Sequence, residues 1–301
     1  MIPAEALSEL LAAVTGSPFK LDSITQIAGG SPWQAMRIDN ARTGNPRQVL
    51  AKMGEVEHLP VFLAEKDGLD RLRAADTSLR VPNVIACREL EEHALLLLEW
   101  IDLVPLAIGG VASAAALGEG LAQLHRTTSD RFGLDTDNFI GVSPQFNKPD
   151  GDWVSFWQHQ RLMPQLQMAK KNRYPSKLIG RGERLMADCG AFFSSHRPVA
   201  SLLHGDLWSG NAAADTDGRP VLFDPAVYHG DREADIAMTE LFGRYPKDFY
   251  SAYDNAFPLD ADYPVRKNFY NLYHLLNHAN IFSGDYVLQT EKMIEALLAE
   301  L

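Results

Sequence analysis

The chain has 301 residues, of which 46% are hydrophobic, enough for two lobes of ordinary domain size with a sizeable core. Its formal net charge of -11 argues against nucleic acid as a partner, because that affinity rests largely on phosphate-neutralising Lys and Arg. Its two cysteines, Cys87 and Cys189, exclude a disulfide framework and fit a reducing compartment.

The N-terminal segment predicts a surface helix rather than an export signal. Residues 1–14 have no basic cluster and carry two Glu residues. The most apolar region, residues 94–106, is interrupted by Glu99, Asp102 and Pro105, so it is too short a run to span a membrane. We therefore expect a cytoplasmic protein with no membrane contact.

A small antiparallel sheet is predicted over the first hundred residues. Residues 21–39 predict two strands that turn at Gly29, Gly30, Ser31 and Pro32. Backbone N–H groups of such a turn can hold phosphate, although an ordinary hairpin has the same pattern and Pro32 has no N–H. Further strands at 48–53 and 84–98 complete a sheet of about five strands.

Lys52 is the one basic group of the predicted strand 48–53 and has apolar neighbours. It is either an exposed strand lysine or a lysine whose ammonium reaches the phosphates of a nucleotide. The second role requires a carboxylate that orients the lysine. Residues 62–72 predict a helix that carries Glu65, whereas Glu55 and Glu57 lie in the preceding loop.

Helical periodicity follows the sheet. Apolar residues at helical spacing over 112–126 predict a helix with one buried face. His125 at its end is more typical of a structural group than of a catalyst. His274 and His278 are four apart on one predicted helix, but no carboxylate or cysteine with suitable metal-ligand spacing accompanies them. We interpret these two histidines as packing or substrate-lobe residues.

Residues 201–224 are the most informative segment, SLLHGDLWSGNAAADTDGRPVLFD. Phosphoryl transfer needs a carboxylate beside the attacking hydroxyl and hard oxygen ligands for magnesium. Asp206, Asn211 and Asp224 follow the order of the protein-kinase loop D-x-x-x-x-N and its later metal-binding Asp. A polar turn, which also favours Asp and Asn, is the alternative for the HGD tripeptide alone.

The flanking pattern supports the catalytic interpretation. Short apolar runs at 199–203 and 220–223 predict strands, and residues 215–218 (DTDG) predict a hairpin turn between them. Asn211 and Asp224 are then expected near one end of a hairpin, facing a common space.

Several segments of the chain resemble the fructosamine kinase (ketosamine-3-kinase) family, in the aminoglycoside-phosphotransferase and choline-kinase branch of the kinase-like fold. They are HGDLWSGN with Trp208, DPAVYHGDREADIAMTELFG from Asp224, FGLDTDNFIGVSPQFN at 132–147, the W-x-x-x-W-x-x-x-R pattern of Trp153, Trp157 and Arg161, and FYNLYHLLNHANIF at 269–282. The resemblance extends over most of the chain. Two positions depart from it: Ser31 replaces a Cys that is frequent in eukaryotic members, and Asp231 replaces a frequent His, a change expected to alter substrate contacts near the cleft mouth.

The resemblance implies a two-lobed, protein-kinase-like α+β fold. The expected N-lobe, residues 1–98, is a small antiparallel sheet with one helix. Residues 99–102 form the hinge, and the larger C-lobe, residues 103–301, is mainly helical and contains the catalytic loop. In the resembled fold the hinge backbone, here Glu99, Trp100 and Ile101, hydrogen-bonds the adenine of ATP.

The resemblance also implies a role for each site residue. Asp206 orients the acceptor hydroxyl and takes its proton, while Asn211 and Asp224 hold Mg²⁺. The residues assigned to ATP are Lys52, Glu65 as its brace, the loop residues Gly29, Gly30 and Ser31, and the hinge residues. His204 and Asp235 are expected to support the catalytic loop by hydrogen bonds.

The acceptor implied by the resemblance is the 3-hydroxyl of a ketosamine, either a small molecule or bound to a protein. Flat rings suit a sugar face or a lysine arm, so Trp208, Trp153 and Trp157 are acceptor candidates, with core packing an equal alternative for the last two. Another acceptor, such as an aminoglycoside, choline or homoserine, and a catalytically silent ATP-binding module remain alternatives. The sequence leaves the preferred sugar, the preferred amine and the oligomeric state open.

Overall fold

The computed structural model describes residues 2–27, 33–42 and 46–301. The predicted phosphate-loop residues Gly29, Gly30 and Ser31 lie outside this part of the chain. Its first hundred residues form a five-stranded antiparallel sheet of strand order β1-β2-β3-β5-β4, with one helix before it and one inserted in it. These elements are α1 (Ala4–Thr15), β1 (Leu21–Ile27), β2 (Gln34–Asn40), β3 (Gln48–Glu55), α2 (Leu59–Ala74), β4 (Val84–Leu90) and β5 (His93–Glu99).

The two faces of the sheet pack against different partners. In β5, Leu95 and Leu97 join the cluster beneath α1, whereas Leu96 and Leu98 join the main core with α2. This alternation follows from the two-residue period of a strand. Lys52 on β3 is directly opposite Leu96, and its side chain lies in the cleft behind the sheet.

The rest of the chain is mainly helical, and three small sheets are embedded in it. Its helices are α3 (Leu106–Leu124), α4 (Trp153–Phe156), α5 (Met163–Lys171), α6 (Ser176–Asp188), α7 (Glu233–Met238), α8 (Lys247–Ala256), α9 (Tyr263–Phe282) and α10 (Asp285–Ala299). Its strands are β6 (Leu103–Pro105), β7 (Thr128–Ser129), β8 (Asn138–Ile140), β9 (Ser143–Gln145), β10 (Ala200–Leu203), β11 (Ala212–Asp215), β12 (Pro220–Leu222) and β13 (Tyr228–Gly230). Among the described residues, no helix is long and apolar enough to cross a membrane.

The strand pairing predicted around the proposed catalytic segment, residues 201–224, is wrong in one respect. The turn at 215–218 is present, but the strand that pairs with β12 is β11, and β10 instead lies between β13 and β7. The sequence hides β11 because three of its four residues are alanines, which are depleted in strands and give no apolar signal.

Candidate active site

Five of the predicted polar site residues line one cavity of about 400 Å³ between the sheet and the helical part of the chain. Lys52 and Glu65 reach it from β3 and α2, while Asp206, Asn211 and Asp224 reach it from the opposite side. The structure therefore brings together residues that are up to 172 positions apart in the sequence.

Lys52 is buried and lies between two carboxylates. Its Nζ is 2.7 Å from Oε1 of Glu65 and 2.6 Å from Oδ1 of Asp224. Burial opposes the charge on Lys52, but the negative charges of Asp224 and Glu65 outweigh it and raise the pKa of the ammonium. Lys52 is 5% exposed, so the interpretation as an exposed strand lysine is wrong, and Glu65 is the contacting acid rather than Glu55 or Glu57.

Asp206 sits at the floor of the cavity beside Asn211. Its Oδ2 and its backbone oxygen both accept hydrogen bonds from Asn211 Nδ2, at 3.0 and 2.8 Å. Burial and the nearby charge of Asp224 raise the pKa of Asp206 to about 7, against the opposing hydrogen bond from Asn211. A carboxyl group that titrates near neutrality is chemically suited to accept a proton from a substrate hydroxyl.

Asp235 and His204 hold the segment that carries Asp206. The two carboxylate oxygens of Asp235 accept the backbone N–H groups of His204 and Gly205, at 2.7 and 2.9 Å. His204 Nε2 bonds the backbone oxygen of Phe223 at 3.0 Å, which ties the loop to the segment before Asp224. The supporting roles predicted for His204 and Asp235 are confirmed.

His125 is also a structural group, as predicted. Its Nδ1 is 2.8 Å from the hydroxyl of Tyr253, and its Nε2 is 3.2 Å from Oδ2 of Asp235. The ring is fully buried beneath the catalytic segment, so it stabilises Asp235 rather than facing the cavity.

Asp224 follows β12 in a left-handed conformation, with φ of 56°. This conformation is uncommon for a residue with a side chain and is consistent with a functional constraint. The carboxylates of Asp206 and Asp224 and the amide oxygen of Asn211 are all hard oxygen donors that line the same cavity. Because Asn211 Nδ2 is committed to Asp206, its oxygen is the free ligand atom, and this donor set fits a hard divalent cation.

An aromatic wall also lines this cavity, and only its Trp208 was among the residues predicted from the sequence to contact the acceptor. Trp208 is 37% exposed, and its backbone oxygen accepts a hydrogen bond from the hydroxyl of Tyr245 at 3.0 Å. The other members of the wall are Phe242, His278, Phe282 and Tyr286. The ring centroids of Phe242 and His278 are 4.3 Å apart, and those of His278 and Tyr286 are 5.2 Å apart.

The predicted acceptor residues Trp153 and Trp157 do not reach this wall. They are 3% and 0% exposed and pack in the core against Tyr270 of α9, to whose hydroxyl Trp153 Nε1 donates at 3.1 Å. Burial on this scale leaves no surface for a substrate, so core packing describes both residues. Their regular spacing reflects one buried helix face.

Asp231 is likewise away from the cleft mouth, where its departure from the family pattern was expected to act. It is buried, and its Oδ2 accepts hydrogen bonds from Tyr270 at 2.5 Å and pairs with His196 Nε2 at 2.7 Å. The substitution therefore belongs to a buried polar network.

The side chains of two predicted hinge residues, Glu99 and Trp100, have hydrogen-bond partners that do not line the cavity. Glu99 accepts hydrogen bonds from Arg80 and Asn83, and Trp100 Nε1 donates to Asp102. Glu99 N–H is bonded to the backbone oxygen of Asn83. Within the described residues, no backbone hydrogen bond uses the N–H of Trp100 or Ile101.

Comparison with known proteins identifies the family. The fructosamine kinase family model matches residues 3–300. The chain belongs to the fructosamine kinase family. A protein of Synechocystis sp. named as probable ketoamine kinase is 35% identical, over 98% of this chain and 97% of its own.

Similar solved structures support the same family assignment. A crystal structure from Haemophilus somnus 129PT that bears the name fructosamine-3-kinase has a TM-score of 0.85 at 30% identity, over 98% of this chain and 97% of its own. An ADP-bound aminoglycoside phosphotransferase, at 12% identity, has a TM-score of 0.64 over 98% of this chain and 99% of its own. That distant similarity concerns the fold alone, and it confirms the predicted kinase-like α+β architecture.

Membership in the fructosamine kinase family confirms the predicted class of enzyme. The protein is a kinase that uses ATP and has a hydroxyl group as acceptor. A ketosamine kinase is favoured over the aminoglycoside, choline or homoserine alternatives, and a catalytically silent module is not supported.

Proposed function

We propose that the protein transfers the γ-phosphoryl group of ATP to the 3-hydroxyl of a ketosamine. The observation that carries this proposal is the position of Asp206, which lies in one cavity with the cluster of Lys52, Asn211 and Asp224 and with the aromatic wall. A phosphate at carbon 3 is a better leaving group than hydroxide, so the product eliminates inorganic phosphate, and water then hydrolyses the C–N bond that joins the sugar to its amine. The activity is therefore a deglycation repair.

Asp206 is the proposed general base. It orients the acceptor hydroxyl and takes its proton as the oxygen attacks the γ-phosphorus and the bond to the β-phosphate oxygen breaks. The transition state of this transfer is loose, so positioning and charge neutralisation supply most of the rate. Asn211 donates a hydrogen bond to the carboxylate of Asp206, and Asp235 holds the loop that carries it. These hydrogen bonds keep the carboxylate in place.

Asn211 and Asp224 are the proposed ligands of Mg²⁺. When bound, this ion neutralises the charge of the β- and γ-phosphates. Lys52 can exchange its bond with Asp224 for phosphate oxygens while Glu65 keeps its stem in position. The cation on Lys52 is thus available both to the carboxylate and to the nucleotide.

The remaining nucleotide contacts are proposed from the fold. Backbone groups of Trp100 and Ile101 are available to bond adenine, in a hinge of residues 99–102 between an N-lobe of 1–98 and a C-lobe of 103–301. Gly29, Gly30 and Ser31 stay predicted phosphate-loop residues. A cytoplasmic location is part of the proposal, since the donor is ATP and both cysteines are free thiols.

The aromatic wall is the proposed acceptor site. The amine of a ketosamine is cationic at neutral pH, and ring faces attract a cation while also packing against a sugar or an aliphatic arm. Trp208 is two residues from Asp206, so a sugar held against its ring lies within reach of the base.

The proposal is tested by measuring ATP consumption with a panel of ketosamines, aminoglycosides and amino alcohols, with NMR of the product. We expect phosphorylation at carbon 3 of a fructosamine or ribulosamine. Activity on an aminoglycoside or choline and on no ketosamine would reject the acceptor class and leave the kinase activity intact.

A further inference from the structure

Three backbone carbonyls next to the proposed metal ligand are each held by a side-chain amide. Asn211 Nδ2 lies 3.4 Å from the backbone oxygen of Asp224, Gln145 Nε2 lies 3.0 Å from that of Ala226, and Asn138 Nδ2 lies 2.8 Å from that of Val227. These contacts hold the chain where Asp224 adopts its left-handed conformation. Asn138 and Gln145 are opposite each other on the hairpin β8–β9.

The two hairpin amides form a hydrogen-bonded network. Asn138 Oδ1 accepts from Gln145 Nε2 and from Asn147 Nδ2, both at 2.8 Å. Gln145 Oε1 accepts from the hydroxyl of Tyr273 on α9 at 3.0 Å. All these amides are buried, so each unmade bond is costly and the network holds one arrangement.

Arg161, at the end of the network away from Asp224, determines which amide groups donate and which accept hydrogen bonds. A guanidinium only donates, so Asn147 must turn its Oδ1 toward Arg161 Nη2, at 2.9 Å, and its Nδ2 toward Asn138. Asn138 must then accept through Oδ1 and donate through Nδ2 to Val227. The backbone oxygens at the other end only accept, so both ends require the same orientation of every amide.

The surroundings of Arg161 agree with such a role. It is 0% exposed, and within the described part of the chain its guanidinium donates hydrogen bonds to backbone and amide oxygens and to no carboxylate. Its guanidinium carbon lies 4.0 Å from the ring centroid of Tyr228, and it donates to the backbone oxygen of Phe146 and to Asn147. A buried charge without an acidic partner is costly, so Arg161 depends on its hydrogen bonds to Phe146 and Asn147 and on the ring of Tyr228.

We propose that Asn138 and Gln145 are positioning residues for Asp224, and that Arg161 acts on Asp224 through Asn147 and Asn138. This role accounts for the segment at 132–147 and for the arginine of the W-x-x-x-W-x-x-x-R pattern, which the catalytic residues leave unexplained. The inference rests on the proposed role of Asp224 as a metal ligand.

The test compares Gln145→Glu with the matched control Gln165→Glu. Each change removes the Nε2 donor of a buried glutamine, but the hydrogen bonds of Gln165 in the described part of the chain are to Asn277 and Asn280 and not to residues 224–227. The first readout is amide hydrogen exchange of residues 224–228 without nucleotide or metal. The second is the affinity for ADP with Mn²⁺, measured by calorimetry.

We expect Gln145→Glu to speed exchange in 224–228 and to weaken binding of Mn²⁺ with ADP, each by roughly 10-fold or more. Gln165→Glu should leave both values at the wild-type level even if both variants lose stability. Equal changes in the two variants, or unchanged exchange in Gln145→Glu, would overturn the proposal. The exchange readout needs no acceptor, so a wild-type enzyme that phosphorylates no ketosamine would reject the proposed function and not this inference.

A milder pair of variants covers the case in which Gln145→Glu does not fold. Tyr273→Phe removes only the donor to Gln145 Oε1, and Tyr263→Phe removes a comparable hydroxyl on the same helix, bonded to Glu240. We expect exchange in 224–228 to rise about fivefold in Tyr273→Phe, the factor that one lost hydrogen bond gives, and not in Tyr263→Phe. Unchanged exchange in Tyr273→Phe would contradict the network.

Discussion

The ammonium of Lys52 lies 2.6 Å from the carboxylate of Asp224, which connects the N-terminal sheet to the segment that follows the catalytic loop. The same ammonium lies 2.7 Å from Glu65, so Lys52 forms ion pairs with two carboxylates. Glu65 is buried, whereas the side chain of Asp224 is 40% exposed and can turn to a ligand. Loss of Lys52 therefore leaves Glu65 as the uncompensated charge.

Substitutions at Lys52 and Glu65 should affect the free energy of unfolding and the ATP affinity differently. Lys52→Met leaves Glu65 buried without a partner, so we expect the free energy of unfolding to fall by about 3 kcal/mol. The double variant Lys52→Met with Glu65→Gln should recover most of that loss but none of the lost ATP affinity, because only the ammonium binds phosphate. Urea unfolding and calorimetric ATP titration measure the two quantities. Recovery of ATP affinity in the double variant would contradict the role of Lys52.

Asp206→Asn tests the general base. The amide keeps the size of the side chain but cannot accept the proton, so we expect turnover to fall by about 10² or more. ATP affinity should persist, since Lys52, Asn211 and Asp224 are unchanged. Turnover and calorimetric binding are measured on the same preparation. Near-native turnover by a folded variant would remove Asp206 from this role.

The pH dependence of the reaction should show the raised pKa of Asp206. The base must be ionised, so kcat/KM, which reports the free enzyme, should fall as the pH decreases through about 7. A cation at Asn211 and Asp224 would cancel the charge that helps to raise this pKa, so the acid limb of kcat should lie at lower pH. Coincident limbs in the two profiles would contradict the contribution of Asp224.

A second pH effect concerns stability and arises from His196, which does not line the cavity. Burial opposes the charge on His196, but its hydrogen bond and charge interaction with Asp231 outweigh burial and raise its pKa. The pair therefore stabilises the protein fully below the unfolded pKa of histidine, and the stabilisation is lost as the pH rises through the folded pKa. We expect wild type to exceed His196→Gln in unfolding free energy more at pH 5.5 than at pH 8.5. A constant difference across this range in urea unfolding would exclude the ion pair.

That the proposed catalytic residues lie together could be predicted from the sequence, because they lie in short motifs. Asp206, Asn211 and Asp224 share one segment; the chemistry of the reaction selects their residue types, and the kinase loop pattern gives their order. Glu65 needed the family pattern, since Glu55 and Glu57 were nearer to Lys52. Short sequence motifs were sufficient to predict these residues because their strands and turns are determined by neighbouring residues in the chain.

Burial and long-range assembly could not be predicted in the same way. The sequence around Trp153 and Trp157 does not indicate which helix face is buried, and in the structure both side chains lie in the core. The aromatic wall combines Trp208, Phe242 and residues of α9 and α10, and no periodicity connects these segments before the chain folds. Only the spacing of His278 and Phe282, four residues apart on one helix, offered a local signal.

Trp208 provides the sharpest test of the acceptor site. The ring lies in the wall of the cavity, two residues after Asp206, so under the proposed function its loss removes contact area for the acceptor and leaves the hinge proposed for adenine unchanged. We expect Trp208→Ala to raise the KM for a fructosamine or ribulosamine by about 10-fold and to leave the KM for ATP within about twofold, as for the loss of an aromatic contact worth about 1.4 kcal/mol. Trp208→Phe is the matched variant, because it keeps a flat ring on the same backbone and should retain most of the acceptor affinity. Steady-state kinetics with each substrate varied in turn measure both constants, and far-UV circular dichroism checks the fold. If Trp208→Ala raised both KM values equally, or if Trp208→Phe behaved as Trp208→Ala, the ring would position the catalytic loop rather than bind the acceptor.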